Sequence, residues 1–240
     1  MSGHSKWSTI KRQKSAQDAK RGAIFTKIAN SITIAVKQGG GIGDPSQNFR
    51  LRLAIDNARA VNMPKENIER AIKRALEKDA STFEEITYEG FAPGGISVIV
   101  EAASDNTTRT TAEVKSLFNK SGASFGHPGS VSYQFKQAGR IIAQKETKTF
   151  DDIFSIAVEA GAEDIEETGD EVFIYTLPDN LQSVKNFIEK AGLVIEEAEI
   201  IREPVTIISI TDKGQKEKIE DFISSLENLD DVHKVYTNLE

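Results

Sequence analysis

Two stretches of the chain close in nearly the same letters: "EAGAEDIEE" follows one apolar-periodic segment and "KAGLVIEE" another. Each reads as a helix ending at Ala-Gly and giving way to a strand. Set in order, residues 138–203 give strand "GRIIAQKE", helix "FDDIFSIAVEAG", a hairpin "EDIEETGDEVFIYTLP" around Thr168, Gly169 and Asp170, helix "DNLQSVKNFIEKAG" and strand "LVIEEAEIIRE". That βαββαβ order is the ferredoxin-like arrangement, and it restricts the fold more than any other feature, because both halves must share one sheet.

The flanks then fall into place. Upstream, "ITYEGFAPGGISVIVEAASD" reads as two strands about a Pro-Gly-Gly turn, "TTRTTAEVKSLFNKSG" as a helix ending at Ser121–Gly122, and "GSVSYQF" as a strand. Downstream come strand "VTIISI", helix "DKGQKEKIEDFISSLENL" and strand "VHKVYTNL". These last elements lack companions unless they pair with the strands of residues 85–136. The expected fold is therefore α+β: a helical domain at 1–80, a split α+β domain at 81–137 plus 204–240, and a ferredoxin-like domain at 138–203 inserted into it. A chain of 240 residues with 38% hydrophobic residues has enough core for two or three such units.

The first domain rests on helical spacing. Phe25, Ile28, Ile32, Ala35 and Val36 form one stripe. "GGGIGDP" ends that helix, and Asp44 before Pro45 reads as the cap and first-turn proline of the next, with Phe49, Leu53, Ala54, Ala58 and Val61 inward. Pro64 opens a third helix whose expected buried face is Ile68, Ile72, Ala75 and Leu76.

Charge divides along the same boundary. Residues 1–75 carry 15 Lys or Arg against 5 Asp or Glu, a net +10, whereas residues 76–240 carry −17, so the total of −7 hides two opposed parts. A basic part of this size fits a polyanionic partner, and the acidic remainder limits indiscriminate sticking. There is no cysteine, which excludes disulfides, thiolate metal sites and thiol catalysis and fits a reducing compartment. No apolar run approaches a membrane span, and the N-terminus has no signal-peptide core. The expectation is a cytoplasmic protein without membrane contact.

Enzymatic patterns do not emerge. His4, His127 and His233 sit in unrelated settings, and no GxSxG, HExxH or GxxxxGK[ST] pattern occurs. "GGGIGDP" follows a helix rather than a strand and lacks the Lys-Ser/Thr of a phosphate loop, so it reads as a connector. The carboxylates of Glu159, Glu163, Asp164, Glu166, Glu167, Asp170 and Glu171 lack the spacing and turn glycine of a calcium loop and read as a solvated face. No catalytic residue, metal or cofactor is expected.

The opening stretch, "MSGHSKWSTIKRQKSAQDAKRGAIF", is the most informative for function. On a wheel continuous with the Phe25–Val36 stripe, Lys14, Gln17, Asp18 and Arg21 would turn inward, and burying Lys14 and Arg21 unpaired is prohibitive. The expectation is a projecting basic arm, hinged at Gly22, that orders on a phosphate backbone. Contacts of that kind give salt-dependent affinity without reading sequence. Trp7 fits either a stacking surface for an unpaired base or an anchor packed on the bundle. Arg70, Lys73 and Arg74 place a basic face on the third helix, but Glu66 and Glu69 in its first turns argue against a recognition helix.

At "GHSKW...IK..K...D.KRG..F.K", then "DP..N..LR.AI..A...NMP...I.RAI", "YEGFAPGGISVIVEAASDNTTRTTAEVKSLFNKSGA" and "GSVSYQF", the sequence resembles the YebC/PmpR family of probable transcriptional regulators, which includes a mitochondrial activator of cytochrome oxidase translation. The resemblance covers essentially the full length. It implies a three-domain, non-enzymatic regulator of gene expression, often described as DNA-binding, with members also implicated at the ribosome in passing consecutive prolines. The motif residues His4, Ser5, Lys6, Trp7, Lys11, Lys14, Asp18, Lys20 and Arg21 are all present. Two departures stand out: a connector longer than the usual "GG.DP", and "SDNTTRT" in place of "TDN.NRT", which puts Thr107 and Thr108 in doubt as contacts while leaving Asp105, Asn106 and Arg109. A motif beginning at residue 3 fits a bacterial cytoplasmic member better than a mitochondrial precursor.

The candidate nucleic-acid-binding residues are accordingly His4, Ser5, Lys6, Trp7, Lys11, Arg12, Lys14, Lys20, Arg21, Lys27, Arg70, Lys73 and Arg74, with a second contact loop at Asp105, Asn106 and Arg109. Two functions remain open: a DNA-binding transcriptional regulator, or a ribosome-associated translation factor that binds ribosomal or transfer RNA.

Overall fold

The computed structural model describes residues 18–77 and 83–240. Helix α1 (Asp18–Gln38), α2 (Phe49–Ala60) and α3 (Lys65–Leu76) form the N-terminal unit. Its core is Ile32 and Val36 from α1, Leu51, Ile55 and Ala58 from α2, and Ile68, Ala71 and Ala75 from α3. Phe25 and Ile28 lie half-buried at one end.

Several expectations are corrected here. Helix α1 runs unbroken through Gly22, which is therefore not a hinge between arm and helix; residues 11–17 of the expected arm lie outside the described residues. The N-cap of α2 is Asn48, whose side chain accepts from the Leu51 N–H at 3.1 Å, and not Asp44. Asp44 instead accepts from the Ser46 N–H at 2.8 Å, closing a turn that Pro45 initiates before the helix begins. In α3 Ala71 is buried, while Leu76 is exposed and lies over Gly43. Val61, at the C-cap of α2, is exposed as well.

Helix α2 buries two faces, which the single expected stripe missed. Leu51, Ile55 and Ala58 turn to the bundle, whereas Phe49 and Leu53 enter the core of the inserted unit. A helix sandwiched between two bodies has no clean amphipathic stripe.

The chain then builds two four-stranded antiparallel sheets. Strand β1 (Glu84–Ala92) and β2 (Ile96–Ser104) pair from Glu84↔Ser104 to Ala92↔Ile96, closing the Pro-Gly-Gly turn as expected. Helix α4 (Thr107–Lys120) follows, then the short β3 (Ser124–Phe125) against Gly90 and Phe91. "GSVSYQF" is not a strand: residues 128–134 form turns and one 3-10 turn, and β4 begins only at Phe135.

From β4 (Phe135–Gln144) the chain makes α5 (Phe150–Ala160), β5 (Asp164–Thr168), β6 (Glu171–Thr176), α6 (Leu181–Lys190) and β7 (Val194–Pro204). The strand order β5-β6-β4-β7 is that of a ferredoxin-like sheet. Helix α5 starts with a capping box between Thr149 and Asp152. The chain returns through α7 (Lys213–Glu227) and β8 (Val232–Thr237), which adds to β2 and gives the first sheet the order β3-β1-β2-β8. The ferredoxin-like unit is thus inserted into the other α+β unit. "VTIISI" forms no ladder strand, only a single bridge, Ile208 to Leu239.

Each sheet packs its helices on one face and the other sheet on the other, as alternation along the strands requires. Val98, Val100 and Ala102 of β2 meet Phe118 of α4 and Phe222 of α7. Ile141 and Ala143 of β4 meet Ile153 of α5 and Val184 of α6. Between the sheets lie Ala138, Ile142, Phe173, Tyr175, Ile201 and Tyr236. Ion pairs run through this seam: Arg202 Nε to Glu101 Oε1 at 2.6 Å, and Glu199 with both Arg140 and Lys234.

Candidate nucleic-acid interface

The basic residues of the N-terminal unit divide into those tied down by the fold and those left to solvent. Arg52 donates from Nε to the carbonyl of Pro45 and from Nη2 to that of Ser46, both at 3.0 Å, fixing the connector. Arg59 pairs with Asp56 and Lys65 with Glu69. Lys37, from the last turn of α1, donates to the carbonyl of Phe83, and Arg74, from the last turn of α3, stacks on the Phe83 ring at 5.5 Å. Two helix C-termini thus bring their cations onto one ring, which favours both dipoles and anchors the bundle to the start of β1. Arg70 and Lys73 are exposed and form no ion pair among the described residues.

Lys27 was expected on the binding surface. Its ammonium donates to the carbonyl of Glu227, at the C-terminal end of α7, so it docks α1 on the returning segment. His233 lies beside it; burial, reinforced by the Lys27 ammonium, pushes the imidazole down to about 4, leaving it neutral near pH 7. Lys20 and Arg21 lie in the first turn of α1. His4, Ser5, Lys6, Trp7, Lys11, Arg12 and Lys14 are outside the described residues.

The second candidate loop has a structural employment. Asn106 caps α4, its Oδ1 accepting from the Arg109 N–H at 3.0 Å. Arg109 donates to Asp231 at 2.9 Å and lies 3.5 Å from Asp105. The same Asp231 oxygen accepts from Ser104 at 2.9 Å and Thr110 at 2.6 Å, tying the β2–α4 junction to the loop before β8. Burial alone would raise the Asp231 carboxyl, but the hydrogen bonds from Thr110, Arg109 and Ser104 outweigh it and hold it below the ordinary carboxylate value.

No group of three or more His, Cys, Asp or Glu among the described residues could hold a metal. No helix among them is long and apolar enough to cross a membrane.

One element was not singled out from the sequence. Glu89, in "TYEGF", lies buried on β1 and accepts three backbone N–H groups of the following loop: Gly129 at 2.8 Å on one oxygen, and Val131 at 2.7 Å and Ser132 at 2.9 Å on the other. The signal was present as the only charged residue in the run 86–100, next to a glycine.

Comparison with known proteins follows this architecture closely. A family model described as the TACO1/YebC N-terminal domain matches residues 5–78, and a second, described as the TACO1/YebC second and third domain, matches residues 83–239. A protein of Persephonella marina named "Probable transcriptional regulatory protein" is 47% identical, with 100% of this chain and 96% of that protein aligned. One from Thermotoga petrophila, of the same name, is 46% identical over 100% of this chain and 94% of that protein. The crystal structure of a conserved hypothetical protein from Aquifex aeolicus superposes with a TM-score of 0.91 at 41% identity, covering 98% of this chain and 97% of that one. With the bundle and both sheets matched along their length, the chain belongs to the TACO1/YebC family.

Proposed function

We propose that the protein is a non-enzymatic, nucleic-acid-binding regulator of gene expression acting in the cytoplasm, with the basic N-terminal unit as its contact surface. The observation that carries this reading is the charge partition, +10 in residues 1–75 against −17 in the remainder. It is supported by the exposed Arg70 and Lys73 on α3 and by relatives named "Probable transcriptional regulatory protein". DNA is the target that those names favour. The three units, 1–80, 81–137 plus 204–240, and 138–203, serve as a basic contact unit and a two-part acidic body.

Phosphate contact rather than base reading fits the third helix, because Glu66 stands in its first turn, where a recognition helix would meet the groove. That feature also keeps a second reading in view, a translation factor on structured RNA at the ribosome. Fluorescence anisotropy with labelled duplex DNA and RNA tests the common part. Affinity should fall at least about tenfold between low and moderate salt, and Lys11/Lys14/Arg21→Glu should abolish binding. Salt-independent binding, or an unaffected triple variant, would sink the proposal. Gradient sedimentation of lysate separates the targets: release of a ribosome-bound pool by the triple variant selects RNA, and base-specific protection of one promoter by protein absent from ribosomes selects DNA.

A further inference from the structure

We infer that the loop Gly126–Tyr133 is a second nucleic-acid contact, in which Tyr133 stacks on an unpaired base and Glu89 is the positioning residue. The inference rests on the nucleic-acid reading above and assigns it a second place on the molecule, far along the chain from the basic bundle.

Burying a carboxylate is costly unless its oxygens are fully hydrogen-bonded. Burial pushes the Glu89 carboxyl up, yet the N–H groups of Gly129, Val131 and Ser132 outweigh it and keep it ionised, below the usual carboxylate range. A fourth bond, from the Gly126 N–H to the Glu89 carbonyl at 2.8 Å, closes the start of the loop. The backbone also approaches too closely for side chains: a Cβ on Gly90 would lie 2.3 Å from the Ser124 carbonyl oxygen, and one on Gly126 would lie 2.3 Å from Ser130 Oγ. Four hydrogen bonds and two obligatory glycines thus hold a surface loop in one shape.

That rigid loop presents an aromatic ring. Tyr133 is 74% exposed, the highest value among the large hydrophobics of the described residues, and its hydroxyl accepts from the half-buried Gln134 side chain at 3.2 Å. His127 and Pro128 are exposed on the same loop. An exposed ring held on a fixed backbone is a stacking platform, sequence-tolerant because every base has a π-face.

Charge selects the occupant. The loop lies within residues 114–145, which contain five Lys or Arg and no Asp or Glu, although the 165 residues from 76 onward are strongly acidic overall. Lys115 sits 5.1 Å over the ring of Phe125, immediately before the loop, and exposed Lys136 follows it, paired with Glu203 at 3.2 Å. The one carboxylate that the loop encloses, that of Glu89, is turned inward, its charge held by three backbone N–H groups. Of those five cations Lys136, Arg140 and Lys145 are paired with Glu203, Glu199 and Glu167, and the segment itself adds no acidic group to repel a polyanion, unlike the β5 edge with Asp164, Glu166 and Glu167.

The test uses the full-length protein with a fluorescein-labelled single-stranded RNA of about 20 nucleotides and the matching duplex, long enough to span several stacked bases. Tyr133→Ala should weaken single-strand binding by about tenfold and leave duplex binding unchanged, while Tyr133→Phe, which keeps the ring, should restore it. Because Tyr133 is exposed, both variants should melt with the wild type. If Tyr133→Ala binds the single strand as tightly as the wild type while Lys11/Lys14/Arg21→Glu does not bind, the loop assignment is overturned and the nucleic-acid reading stands. If the wild type binds neither probe, that reading itself fails. If Tyr133→Ala loses a partner from lysate yet keeps single-strand affinity, the loop is a protein contact and the inference is wrong.

Discussion

The two sheets are alike in size and in carrying two packed helices each, but they are assembled differently. The β5-β6-β4-β7 sheet comes from one uninterrupted stretch, residues 135–204. The β3-β1-β2-β8 sheet needs a strand and a helix from beyond that insertion, so its closure depends on a distant segment. Nonlocal pairing of this kind carries a larger loop-closure cost and is held by specific ties. Asp231, with its three donors, is one; Asn238, whose Oδ1 accepts from the Ser97 N–H at 2.8 Å, is another. The contiguous sheet is instead tied sideways to the bundle, by Lys185 to Asp56 at 2.9 Å and by Asn57 to both backbone groups of Ala198.

Breaking the split sheet should have the larger effect. Phe222, on the returning helix, is buried and packs edge-to-face on Phe118 at 5.0 Å. Phe222→Ala should cost about 3–5 kcal/mol in urea unfolding. Amide exchange should then speed up in β1 and β2 while β4 and β6 stay protected; uniform loss would show that the two sheets unfold as one.

Asp231→Ala should cost about 2 kcal/mol, because three donors lose one acceptor, and it should act on the same sheet. A change confined to β4–β7 would contradict the assignment of that tie.

Acid offers a related probe. Glu89 and Asp231 both have folded pKa values below their unfolded ones, so their stabilisation is complete above the unfolded pKa, about 4, and is lost as pH falls through the folded values. Thermal melts from pH 6 to 2 should show a shallower acid loss for Asp231→Asn than for the wild type. An unchanged slope would remove Asp231 from the account.

The smallest effect should come from the sideways tie. Asn57→Ala removes two long hydrogen bonds, of 3.2 and 3.4 Å, and should cost about 1 kcal/mol, read as faster exchange at Ala198 with the split sheet untouched.

Local chemistry made much of this fold legible. The Pro-Gly-Gly turn, the Ser121–Gly122 helix end and the Gly169–Asp170 hairpin are written in their own residues. What was not legible depends on distant groups. Val131 and Phe135 alternate like strand residues, but Glu89 takes the N–H groups that a ladder would use. Leu51 and Leu53 both bury because two bodies clasp α2. Among the candidate site residues, Arg109 looked available because its partner, Asp231, lies more than a hundred residues away, and Lys27 likewise looked free of the Glu227 carbonyl.

The Lys27 contact also bears on how the protein is made. The helix leading out of the basic N-terminus docks on the end of α7, a segment that leaves the ribosome only after the whole inserted unit has emerged. A nascent chain stopped before residue 213 would leave the outer edge of β2 unpaired and the first helix without that anchor. A truncated product would therefore expose an open strand edge, the kind that pairs with other chains, until β8 closes it.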